Sequence, residues 1–140
     1  MHGKFGARYQ ELTLNALRIV AGLLFMVHGG QKLFGWFGAQ APAGDLWPHG
    51  VAGVIEFFGG WALALGFFTR YVAFVTAGEM AVTFWWQHVA RSGHLWPWQN
   101  RGELPMLFCA VWLYVWASGG GRWTLESWLR RRVGRGAGPG

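Results

Sequence analysis

Four long apolar runs divide the chain, each broken by very few polar positions: about 12–34, 51–68, 71–88 and 103–118. From Val51 to Thr69 the chain would rise about 28 Å as a helix, close to the ~30 Å hydrocarbon thickness of a bilayer. Pro105 falls in the first turn of the fourth run, where a missing N–H costs little. The pattern predicts an all-α fold, a polytopic membrane four-helix bundle. A connection rich in Gly, Pro and Trp covers 35–50, with Trp36, Pro42, Trp47 and Pro48 and no Lys or Arg. Thr69-Arg70 reads as a very tight connection between the second and third runs. A further loop covers 89–102, with Arg91, His94, Trp96, Pro97, Trp98 and Arg101.

Gly119-Gly120-Gly121 ends the fourth run, and a short basic amphipathic interfacial helix is expected over about 124–132. Thr124 is its N-cap. Trp123 and Trp128 have the spacing of a hydrophobic staple. Arg130, Arg131 and Arg132 stand at its C-terminal end, where the helix dipole favours cations. Residues 1–132 form a single transmembrane domain, and 133–140 read as a flexible Gly/Arg tail.

Composition sharpens the membrane reading. Charged residues make up only 13% of the 140 positions, about half the ~25% of a soluble domain. Eleven Trp suit a protein with two membrane–water interfaces to anchor. The first run is too long for a signal-peptide core, carries Arg18 and lacks a small-residue cleavage site. The net charge of +6 does not indicate nucleic acid, because basic residues sit at the ends of apolar runs and in the tail. Lys4, Arg8, Arg70, Arg122, Arg130, Arg131, Arg132 and Arg135 fall on one side, and Lys32, Arg91 and Arg101 on the other. The positive-inside rule then places both termini in the cytoplasm. The single cysteine, Cys109, excludes an internal disulfide and a Cys-rich metal site.

Charges inside the runs are the candidate chemistry. A lone Glu at a helix centre costs roughly 2.5–3.5 kcal/mol on insertion scales, so Glu56 needs a partner. Counting rise per residue puts His28 and Glu56 at a similar depth, about 9 Å below the outer face. Lys32 follows His28 at i+4 on the same helix face. His88 and Glu103 stand at the outer ends of the third and fourth runs. These five residues are expected to surround one outward-facing cavity. Arg18 and Glu79 lie toward the inner face, where a bidentate pair is expected as either a fastener or a relay. His28 and His88 suit hydrogen bonding here better than haem ligation. No metal site and no catalytic residue are assigned.

The residues Leu17-Arg18, Gly22, His28-Gly29 and Lys32-Leu33, followed by Glu56, Gly59-Gly60, Leu65-Gly66 and Thr69-Arg70, resemble the DoxX family of small bacterial four-helix membrane proteins. Glu79-Met80, His88 and the closing Gly119-Gly120-Gly121-Arg122-Trp123-Thr124-Leu125-Glu126 extend the resemblance to about Trp128. In that closing motif Thr and Glu stand where the family commonly has Ser and Asp. The resemblance implies an integral bundle in the bacterial cytoplasmic (inner) membrane. It also implies kinship with the membrane subunit of a thiosulfate:quinone oxidoreductase. Further relatives are associated with redox complexes that include sulfur-transferase and superoxide-dismutase partners.

Three roles fit these residues. The first is a membrane component of a redox system, with quinone as ligand, a soluble or membrane redox partner, and Glu56, His28 and Lys32 at the polar end of the pocket. The second is a small-solute or ion transporter subunit, for a small anion or proton, that uses the buried charges as a relay and oligomerises to form a pore. The third is a non-catalytic scaffold whose basic tail recruits partners or anionic lipid.

Overall fold

The computed structural model describes residues 2–39 and 46–136, and every regular element among them is helical. The expected Pro42 portion of the first loop and residues 137–140 of the tail lie outside the described residues. Four long helices carry the fold: α1 (His2–Phe34), α2 (Val51–Leu65), α3 (Thr69–Thr83) and α4 (Glu103–Ser118). A terminal helix, α5 (Leu125–Gly136), follows. α1 packs on α2, α2 on α3, α3 on α4 and α4 back on α1. The core they enclose contains Ala21 and Phe25 of α1, Leu63 of α2, Ala73, Ala77 and Met80 of α3, and Phe108, Trp112 and Val115 of α4. Phe25 meets the Phe108 and Trp112 rings at centroid distances of 5.2 and 5.5 Å.

α1 and α2 run antiparallel at very close range because glycines line both faces. A Cβ on Gly22 would lie 2.7 Å from the backbone N of Ala64, and one on Gly29 would fall onto the backbone of Phe57. Gly53 and Gly60 return the favour from α2, against Lys32–Leu33 and Met26. Small residues at such a seam let backbones approach where dispersion, rather than water exclusion, holds helices together.

The α2–α3 reversal is as short as the sequence suggests but lies earlier. Gly66 is left-handed (φ 73°). Phe67 N–H reaches the carbonyl of Ala62 at 2.8 Å and Gly66 N–H that of Leu63 at 3.3 Å, the two bonds of a Schellman closure. Phe68 is also left-handed (φ 47°), so the chain turns over Gly66–Phe68. Thr69 and Arg70, expected to be the connection, are instead the first residues of α3. The backbone N–H of Thr69 is capped by Glu126 Oε1 at 3.0 Å, an acid from α5 seated at the N-terminus of α3. Glu126→Gln should lower the folding free energy by about 1 kcal/mol, within the range for lost helix caps. An unchanged melting temperature in detergent would remove Glu126 from that role.

α3 does not stop at Thr83. It continues through a π-helical segment, Phe84–Val89, and a last turn, Ala90–Ser92. A single helical turn, Pro97–Asn100, precedes α4, where buried Asn100 accepts from Gly102 N–H (2.8 Å) and donates to the carbonyl of His94 (3.0 Å). Thr124 caps α5 by accepting from Ser127 N–H at 3.1 Å. α5 itself runs to Gly136, so 133–136 are helical where a flexible tail is expected.

Among the described residues one helical stretch, Gly6–Phe34, is long and apolar enough to cross a membrane by length and composition, and Glu103–Ser118 is a shorter apolar helix. The outward faces of all four long helices are apolar as well, for example Val20 and Leu24, Val54 and Phe58, Phe74 and Val82, Leu107 and Tyr114. Helices apolar on every side belong in a non-aqueous surround or a large interface.

Candidate functional site

Close packing of α1 on α2 dictates which charges meet. Gly22 opposes Ala64 and Gly29 opposes Gly53 and Phe57, so His28 stands level with Glu56. Lys32, one turn further along α1, donates from Nζ to Glu56 Oε1 at 2.5 Å. The pair is asymmetric in exposure: the Lys32 side chain is 28% exposed and that of Glu56 2%. Glu56 Oε2 is buried with no hydrogen-bond partner among the described residues. The carboxylate is therefore charge-paired through one oxygen while the other is left open.

Two cavities adjoin this pair at the end of the bundle that carries the long connections. The smaller, about 200 Å³, holds His28, Lys32, Glu56, Thr83, His88 and Arg101 over an apolar floor of Phe25, Met80 and Phe108. The larger, about 580 Å³, is walled by Trp47, Pro48, Ile55, Val75, Val82 and Trp86 and reached by Glu79. Lys32, Thr83 and His88 line both. The π-helical segment after Thr83 carries His88, and such segments recur at functional sites. His88 Nδ1–H donates to the carbonyl of Asn100 at 2.9 Å, which leaves Nε2 as the acceptor of the neutral ring. Trp47 and Trp86 meet edge to face at 5.9 Å on the wall of the larger cavity.

Glu79 is not where the sequence reading puts it. Gly59 of α2 abuts Thr76 of α3, so Glu79 is close to the level of Glu56 rather than that of Arg18. It accepts from Thr83 Oγ1 at 2.9 Å, and its Oε2 is buried without a partner among the described residues. The expected Arg18–Glu79 pair does not form. Arg18 lies at the C-terminal end of α2, level with the start of α3, about 13 Å of helix rise from Glu79. Its guanidinium is fully buried and closes a different network. Nη1 donates to the carbonyls of Leu63 (2.6 Å) and Ala64 (2.7 Å), in the last turn of α2. Nε donates to the carbonyl of Gly120 (2.7 Å), and Nη2 to that of Trp123 (2.7 Å) and to Asn15 Oδ1 (3.4 Å).

Glu103 is also displaced from expectation. It is exposed in the first turn of α4 and does not line either cavity. Gly102 is buried against Phe84 and Asn100, and this orientation of the turn makes Arg101 the cavity residue instead. Of the seven candidates, His28, Lys32, Glu56, Glu79 and His88 are brought together, while Arg18 and Glu103 are not. Thr83 and Arg101 line the smaller cavity and Asn100 holds His88, and none of the three is among those seven. An Arg beside a Gly in a loop gives little sequence signal, but Thr83 follows Glu79 at i+4, the spacing of a side-chain contact.

The sequence model of the DoxX family matches residues 13–89. The chain belongs to the DoxX family. The match covers most of α1 and all of α2 and α3, and so includes His28, Lys32, Glu56, Glu79 and His88. An uncharacterised protein of Haemophilus influenzae is 38% identical over 125 residues, covering 86% of this chain and 92% of its own length. No solved structure matches the chain. Membership of DoxX, a membrane-associated family, agrees with the apolar exterior described above.

Proposed function

We propose that this DoxX protein is a multi-pass component of the bacterial cytoplasmic membrane that binds a quinone headgroup for a redox partner. Crossing of the bilayer by all four long helices is supported by their apolar outer faces. Cytoplasmic termini are supported by the excess of Lys and Arg at that end. The cavities then open toward the outside.

The observation that carries the ligand reading is the pair of orphaned carboxylate oxygens, Glu56 Oε2 and Glu79 Oε2, beside adjoining cavities with one aromatic-walled chamber. Trp47, Trp86 and Pro48 offer flat apolar contact for a planar ring. Lys32 donates to a ring carbonyl, and His88, its Nδ1 side held by Asn100, presents Nε2 to a ring hydroxyl. Glu56 and Glu79 are the groups placed to pass protons to or from those oxygens. Quinone supplies two-electron chemistry with uptake of two protons, the electrons coming from a soluble or membrane oxidoreductase.

Short-chain ubiquinone or menaquinone analogues should raise the melting temperature of the detergent-purified protein. At about 100 times the Kd the rise should be about 5 °C or more. Val82→Trp intrudes on the larger cavity from a side chain already 57% exposed, so it should abolish the shift and leave the fold intact. If neither benzoquinones nor naphthoquinones stabilise the protein, the proposal is wrong. A permeation path through one chain is less well supported, because Phe25, Leu63, Phe108 and Trp112 fill the core beyond Glu56.

A further inference from the structure

At the opposite end of the molecule, a third cavity of about 990 Å³ opens between the first turns of α1 and the start of α5. Arg8, Glu11 and Leu12 form one wall, and Arg122, Trp123 and Arg131 the other. Three guanidinium groups therefore face one carboxylate. That carboxylate is already engaged: Glu11 Oε1 accepts from the backbone N–H of Arg122 and from Asn15 Nδ2. Arg131 Nη2 makes one weak contact, to the carbonyl of Arg122 at 3.4 Å, which leaves its other donors available. Arg8, Arg122 and Arg131 are all exposed. The site thus has a surplus of forked donors suited to phosphate oxygens.

The surroundings say what kind of phosphate. Trp123 on the rim is 61% exposed, and Leu12 beside it is exposed too. On the same helix as Arg131, Leu125, Trp128 and Leu129 are exposed, and Arg132 lies over the Trp128 ring at 4.7 Å. A cationic recess rimmed by Trp and Leu at the edge of an apolar exterior matches a phospholipid: charge for the headgroup, apolar contact for the upper acyl chain. We infer that Arg8, Arg122 and Arg131 form a binding site for the phosphate of an anionic phospholipid, held between α1 and α5. The site is independent of the quinone cavity and places its lipid against the segment that Arg18 clamps.

Native mass spectrometry of the full-length protein from nanodiscs of equal phosphatidylglycerol and phosphatidylcholine reads the site directly. Wild type should retain phosphatidylglycerol in preference, and Arg8→Gln/Arg131→Gln should cut that preference roughly tenfold or more. Arg130→Gln/Arg132→Gln removes the same charge from α5 outside the cavity and should leave the preference within about twofold. Equal retention of both lipids by wild type, or equal loss in the two double variants, overturns the assignment. Dioctanoyl phosphatidylglycerol should stabilise the detergent-purified protein, and inorganic phosphate or an oligoglutamate peptide should not. Stabilisation by either of those in place of the lipid also overturns it.

Discussion

Arg18→Met should unfold or severely loosen this protein, at a cost on the order of 3–5 kcal/mol for the buried carbonyls it strands. The guanidinium fills four carbonyls, of Leu63, Ala64, Gly120 and Trp123, from a position with no solvent exposure. An apolar replacement leaves those acceptors without their charged donor, and each charge-assisted bond contributes more than a neutral one. Arg18→Lys should recover little, because an ammonium cannot reproduce the fork that spans the end of α2 and the 120–123 segment. The measurement is thermal unfolding in detergent, with limited proteolysis over 119–124 as a local readout. A stable, protease-resistant Arg18→Met protein would show that the network contributes nothing to holding α5.

Gly60→Val should be nearly as damaging, at about 3 kcal/mol or more, because overpacking cannot be relieved by rotating a side chain here. The added Cβ would press on the backbone of Met26 and lie 2.6 Å from the carbonyl oxygen of Gly22, so α1 and α2 must separate. Separation would also lengthen the Lys32–Glu56 contact and strand a buried carboxylate. The readout is the yield of monodisperse protein together with its melting temperature. Gly78→Ala supplies the comparison: it is exposed, with nothing within 4 Å of the new methyl, and should be neutral or stabilise by up to about 1 kcal/mol. Equal behaviour of the two variants would rule out the glycine seam as the cause.

Helical character is legible in the sequence because each apolar run is long and nearly free of polar interruption. The neighbourhood of His28, Lys32 and Glu56 is legible for a similar reason. Both helices reach the same outer face, and counting about six residues inward from it on each brings 28 level with 56. Glu79 escapes that count because the reversal is at Gly66–Phe68 and α3 starts at Thr69, so Glu79 sits higher than a turn at Thr69-Arg70 implies. Arg18 escapes it for a different reason. Charge in an apolar run suggests a carboxylate partner, but a helix C-terminus also presents unsatisfied carbonyls that a guanidinium can occupy. The closing Gly-Gly-Gly-Arg-Trp-Thr-Leu-Glu motif is visible as a turn and cap. Its reach, to Arg18 through carbonyls and to Thr69 through Glu126, is a tertiary fact that no local pattern carries.

The Arg18 and Glu126 contacts also set an order of events during synthesis. Arg18 lies 102 and 105 positions before its partners Gly120 and Trp123. Glu126 comes 57 positions after the α3 terminus that it caps. While the ribosome is still making α4, the α2–α3 hairpin has an open N-terminus and Arg18 has only part of its set of acceptors. Both are completed only once the 120–126 segment has been made. A truncated product ending near Ser118 therefore carries all four long helices but lacks two of the four Arg18 acceptors and the cap on α3 that lock them.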